Sequence, residues 1–170
     1  SGGDRHVLGE KIDTAEFRQA LGCFATGVTV VTAVAEDGTH IGLTVNSFNS
    51  LSLDPPLVLW SLGVGSPLLK AFERASHFAV NMLSEDQVEI SQRFALRAVD
   101  KFSELEVRAG LGGAALIADC TAWLECRTRS HHRHGDHVLF IGEVERVAST
   151  ARKPLLYLHG HYAACGDRMA

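Results

Sequence analysis

The sequence predicts a mainly β protein, an antiparallel barrel either closed or split, with a few helices set between hairpins. Runs dense in β-branched residues, such as Val28 to Val34, suit a pleated and half-buried surface. Turn signals at Glu36-Asp37-Gly38 and Asp54-Pro55-Pro56 separate consecutive strands. The strict strand-helix alternation of a doubly wound parallel sheet is missing, and Gly110 to Gly113 neither follows a clear strand nor opens a helix as a dinucleotide fingerprint would.

Taken in order, Phe17, Leu21 and Phe24 recur at helical spacing behind Asp13 or Thr14 as cap, so a short amphipathic helix should cover one end of the sheet. Val28 to Val34 and about Thr39 to Val45 form a hairpin. After the prolines, Leu57 to Leu62 reads as a buried central strand. Ser66-Pro67 reads as a helix start, with serine as cap and proline at the first helical position. A strand is expected at Phe78 to Met82. Ser84 to Gln87 has capping-box spacing and opens what should be the longest helix, carrying Val88, Ser91, Phe94 and Ala95 and ending before Asp100. Two long β segments, Ala118 to Thr128 and His137 to Val147, close the chain, joined by the histidine-rich Ser130 to Asp136. No internal repeat interrupts this plan.

At 170 residues the chain fits one domain, expected over residues 14–165 behind a flexible segment 1–13. The net charge of −4 is dispersed, which argues against nucleic acid as partner. Its apolar stretches are far shorter than the roughly 20 residues of a membrane-spanning helix, and no secretion signal is read at Ser1 to Leu8, so a cytoplasmic location is expected. Cys23, Cys120, Cys126 and Cys165 form no Cys-x-x-Cys pair and are given no role.

The run Thr44-Val45-Asn46-Ser47-Phe48, continuing through Ser50 and Leu51, is rich in neutral donors and acceptors and free of charge. A planar ring with a polar edge and apolar faces asks for that mixture, while an ordinary polar turn between strands is the simpler reading. Gly65-Ser66-Pro67 offers backbone donors where a phosphate could rest. His131, His132, His134 and His137 beside Asp136 invite a metal reading. With neighbours one or two apart taken to point to opposite faces, and no partner cluster elsewhere, a solvated turn is preferred and no metal is expected. No Ser-His-Asp or Cys-His arrangement is recognisable, so no catalytic nucleophile, acid or base is assigned.

Six blocks in succession carry a resemblance: Ala25 to Thr32, Gly42 to Val58, Phe78 to Ser84, Arg93-Phe94-Ala95, Gly135 to Val144 and Pro154 to Tyr157. Over about Thr14 to Tyr162 the chain resembles the flavin reductase-like domain family, the small reductase components of two-component flavin-dependent monooxygenases. The resemblance implies a split antiparallel β-barrel of the FMN-binding type, a homodimer, FMN or FAD near the dimer interface, and NADH or NADPH as hydride donor. It implies that Thr44, Val45, Asn46, Ser47 and Phe48 line the flavin ring, that Ser50 and Leu51 continue along it, that Ser66 and Pro67 lie near the phosphate, and that Phe94 forms a wall. His137 would face the nicotinamide, with Tyr162 beside it.

Two departures from the family pattern stand out. Ala115 takes the place of a common proline, and the His131 to His134 stretch precedes the nicotinamide contact; both bear on substrate access. The function so implied is an NAD(P)H:flavin oxidoreductase that hands reduced flavin to a partner monooxygenase. A flavin-binding electron carrier or flavin-holding protein of the same fold is the alternative, and a barrel used only for protein interaction is the third reading.

Overall fold

The computed structural model describes residues 11–97 and 100–169. The expected loose segment 1–13 therefore lies outside the described residues apart from its last three. The chain forms α1 (Thr14–Gly22), β1 (Thr26–Gly27), β2 (Thr29–Val34), β3 (His40–Val45), β4 (Asn49–Leu53) and β5 (Pro56–Gly63). Then come α2 (Leu69–Arg74), β6 (His77–Met82), α3 (Val88–Ala95), β7 (Val107–Ala109), a 3-10 turn at Leu111–Gly113 and β8 (Ala115–Ile117). β9 (Ala122–His134), β10 (His137–Ser149), β11 (Leu155–Leu158) and β12 (His161–Ala164) complete it.

Seven strands form one antiparallel sheet in the order β3-β2-β6-β9-β10-β5-β4. Its edges β3 and β4 do not pair with each other, so of the two barrels the sequence allowed this is the split one. A second sheet, β1-β11-β12, and a two-stranded ribbon, β7-β8, flank it.

Inside the curl, Trp60 stacks on Phe140 at 4.5 Å between ring centres, and Phe72 and Phe78 meet the indole edge-on. Gly142 is needed here, because a Cβ at that position would collide with the Phe78 ring. Asn81, fully buried, is the polar joint of the frame. Its Nδ2 donates to Val30 O at 3.0 Å and, more weakly, to Thr32 Oγ1 and Ala115 O at 3.3 Å, while its Oδ1 accepts from Ile117 N at 2.8 Å. One side chain thus ties β2, β6 and β8 with every donor and acceptor occupied.

Several expectations are corrected. α1 is capped by Asp13, whose Oδ1 accepts from Ala15 N at 2.8 Å, yet it ends before Phe24 and among the described residues covers no sheet end: Phe17, Leu21 and Phe24 are 53%, 56% and 78% exposed. β5 is second from the edge, not central, and its burial alternates because only one face meets the core. The helix after Ser66-Pro67 begins at Leu69, with Ser66 Oγ accepting from Leu68 N in the preceding turn. At Ser84 only half a capping box forms: Gln87 Oε1 accepts from Ser84 N at 2.9 Å, while the Ser84 hydroxyl has no partner. α3, at 8 residues, is one shorter than α1.

The largest difference lies in the last third. Ala118 begins no strand, since a turn separates β8 from β9, and the histidine-rich stretch is not a loop but the end of β9. Only Gly135 and Asp136 turn the chain, with Gly135 at φ 60°, a conformation glycine adopts without strain. Cys120 and Cys126 are buried, and burial pushes their thiols up to about 12, whereas Cys23 and Cys165 are exposed. No described helix is long and apolar enough to cross a membrane.

Candidate functional site

The main cleft, about 650 Å³, is lined by β3, by the segment 63–68 that follows β5, and by the end of α3 with the residues after it. That volume is in the usual range for a site that encloses a ligand of cofactor size. Its aromatic wall is Phe94 set edge-on to Phe102 at 5.1 Å, with the His40 ring tilted against Phe102 at 5.6 Å. Phe94 lies so close to bare Gly42 that an added Cβ would stand 2.8 Å from its ring. The phenyl ring therefore rests directly on the backbone of β3.

Lys101 supplies the fixed cation. Its Nζ donates to Gly42 O at 3.1 Å and Phe94 O at 3.2 Å, which pins the end of α3 to β3, and burial holds the ammonium below the ordinary lysine range. An ammonium has three donors, so one remains for a ligand. Across the cleft, Gly65 faces open space and Ser66 and Pro67 turn the chain toward α2.

Of the residues singled out in the sequence, Thr44, Ser66, Pro67 and Phe94 line this cleft together. Thr44 Oγ1 donates to Ser91 O at 2.6 Å, and Ser91 Oγ shares a 2.8 Å hydrogen bond with Tyr162 OH. Tyr162 thus braces α3 from below, edge-on to Tyr157, and is not on the cleft wall. Val45 points into the core, its carbonyl accepts from Thr29 Oγ1 at 2.7 Å, and it lines neither cleft. Ser47 Oγ accepts from Ser61 N at 3.0 Å and is 3.2 Å from Ser61 O, so that hydroxyl is spent tying the turn after β3 to β5.

Asn46 and Phe48 line a second, smaller cleft of about 240 Å³ between the two larger sheets. Thr26 lines the same cleft, and its buried hydroxyl has no partner. Ser50 and Leu51 are exposed on the edge strand β4, at a bulge in its pairing with β5. His137 sits opposite Gly63 at the rim of the main cleft. Its Nδ1 is 2.8 Å from Asp136 Oδ1, and that hydrogen bond, then the ring's charge, holds the Asp136 carboxyl below the usual range.

Lys101, Phe102, His40 and Gly42 were not singled out as site residues. Lys101 follows the expected helix end without any local pattern, and its partner carbonyl at Gly42 is 59 residues away in the chain. Only the fold brings them together.

The open sheet defines a split-barrel protein, and its cleft combines an aromatic wall, Phe94 and Phe102, with one held cation, Lys101. The model of the flavin reductase like domain matches residues 21–166, and the chain belongs to that family. It is 45% identical over 150 residues to the FMN reductase (NADH) SmoA of Agrobacterium fabrum, covering 88% of this chain and 85% of that one. It is 43% identical to the reductase component of the flavin-dependent trigonelline monooxygenase of Acinetobacter baylyi, covering 86% of this chain and 47% of that one. The NADH:FAD oxidoreductase SgcE6 of Streptomyces globisporus, solved with NAD and FAD fragments, superposes with a TM-score of 0.88 at 34% identity, covering 95% of this chain and all of that one. The chain spans about half the length of some curated relatives, 50% and 47% in two cases.

Proposed function

We propose that the protein is an NAD(P)H:flavin oxidoreductase that reduces FMN or FAD and supplies the reduced flavin to a partner monooxygenase, acting as a homodimer in the cytoplasm through a domain spanning 14–165. The observation that carries this reading is the main cleft, where the Phe94–Phe102 pair, packed on Gly42, and the Lys101 ammonium, held by Gly42 O and Phe94 O, line one space. Apolar faces and an anionic tail are what a flavin presents, so the residues fit the group. The relatives named for FMN reduction and for service to a monooxygenase support the same reading.

When bound, flavin supplies the acceptor for a hydride from the nicotinamide. The protein's part is to hold and exclude. The Phe94–Phe102 wall, backed by Gly42, keeps water from one face of the ring, and Thr44 presents a polar contact at its edge with Val45 anchoring the strand behind it. Asn46, Ser47 and Phe48 fix the turn that continues this edge, and Ser50 and Leu51 extend along it on β4. Lys101 and the Ser66-Pro67 segment take the phosphate end. His137, oriented by Asp136, stands at the mouth where the donor ring enters, and Tyr162 acts through Ser91 to position α3.

Steady-state consumption of NADH and NADPH with added FMN and FAD tests this. Flavin-dependent turnover with at least one pair is expected; flavin retained through purification but reduced slowly by both donors would identify a carrier instead. His137→Ala should slow the nicotinamide half-reaction with flavin affinity nearly unchanged, read by rapid mixing of the flavin-loaded protein with donor. Equal loss of both would remove His137 from that role.

A further inference from the structure

The strand register turns the histidine-rich stretch into a defined surface. His134 pairs directly with His137 and His132 with Leu139, whereas His131 pairs with Phe140 and Arg133 with Val138. Since alternate residues of a strand share a face and directly paired residues do too, His132, His134 and His137 all point outward. His131 points the other way, its ring 5.9 Å from Phe140 and 3.6 Å from Glu73 Oε2. The sequence reading of a solvated turn with diverging histidines thus gives way to three exposed imidazoles on one face of a tight hairpin.

We propose that His132, His134 and His137 form a binding site for a borderline divalent transition ion of the Zn²⁺ class. The spacing fits: residues two apart on a strand lie about 6.5–7 Å apart at Cα and a directly paired residue about 4.5–5.5 Å, both within the span of two imidazoles sharing one ion. His137 is already oriented as a ligand. With Nδ1 engaged by Asp136, its Nε2 is the free nitrogen, the arrangement in which a carboxylate fixes the ring and strengthens it as a donor. Space is available as well, because neighbouring Gly63 has nothing within 4 Å of where its Cβ would stand. Leu139, opposite His132, offers no competing donor, so the fourth position is left to water.

Among the described residues no three histidines, cysteines or carboxylates stand at ligand spacing in the present rotamers. His132 Nε2 instead lies 3.1 Å from Ser130 Oγ. Closing the site requires only rotation of exposed side chains, which is fast and cheap compared with moving backbone. Three neutral imidazoles suit Zn²⁺, Cu²⁺ or Ni²⁺ and not Mg²⁺ or Ca²⁺, which demand oxygen ligands. The site shares His137 with the proposed nicotinamide contact, and a titration run without flavin or nicotinamide reads the metal alone, so its failure is distinguishable from a failure of that reading.

Zn²⁺ titration of the untagged protein by calorimetry, with imidazole proton shifts followed by NMR, tests it. One equivalent should bind, shifting the signals of three histidines. His132→Gln and His134→Gln should each weaken binding by about tenfold or more, while His131→Gln should leave it unchanged. No uptake of Zn²⁺, affinity unaffected by both strand variants, or an equal loss in His131→Gln would each overturn the proposal.

Discussion

Lys101 is the residue whose removal separates binding from folding. Its ammonium is held among carbonyls and partly desolvated, so the free protein gains little from its charge, whereas a bound phosphate would gain a charge-assisted hydrogen bond. Lys101→Met should weaken FMN binding by about 1.5–3 kcal/mol, roughly tenfold or more, and flatten its dependence on salt, an effect that the two lost carbonyl hydrogen bonds, which lower the denaturation midpoint, cannot produce. Quenching of flavin fluorescence at two ionic strengths measures the first, and a urea titration the second. At this scale the sequence revealed part of the site. Thr44, Ser66, Pro67 and Phe94 were legible because a polar strand end, a serine-proline turn and an aromatic on a helix each leave a local pattern, and family resemblance set them in order. Lys101 and Gly42 were not, because what makes them matter is a contact across the fold.

Among the elements, β2, β6 and β8 are joined by Asn81, and replacing its amide strands buried backbone groups away from water. Asn81→Leu should cost about 2–4 kcal/mol of stability, read as a fall in the urea midpoint at unchanged slope. A loss below 1 kcal/mol would mean that the three strands do not rely on it. Strand identity was largely readable from β-branched runs and turn residues, as with β2, β3 and β6. The exceptions have physical causes. β4 is built of Asn49, Ser50 and Ser52, residues that favour turns, and is a strand only because β5 offers it an edge. The end of β9 is polar on both faces and extends because β10 pairs with it, a contact that periodicity cannot register.

For the whole molecule, the feature left unexplained by one chain is α1. Of the two caps expected, Asp13 serves, Phe24 falls beyond the helix end at Gly22, and Phe17, Leu21 and Phe24 face solvent. Among the described residues nothing covers this apolar stripe, and the proposed homodimer would supply a second copy to meet it. Phe24→Glu should shift sedimentation equilibrium toward monomer, while a wild-type monomer at micromolar concentration would remove the dimer from the account. The sequence could mark the stripe but not its partner, because periodicity says that a face is buried and not by what. The central claim concerns turnover of a cofactor that comes and goes. Under anaerobic conditions, a trace of protein mixed with FMN or FAD in large excess over protein, and with at least one NADH per flavin, measures it directly by flavin absorbance. Complete bleaching of the excess, at a rate proportional to protein concentration, is the predicted result; bleaching that stops at one flavin per chain would contradict it.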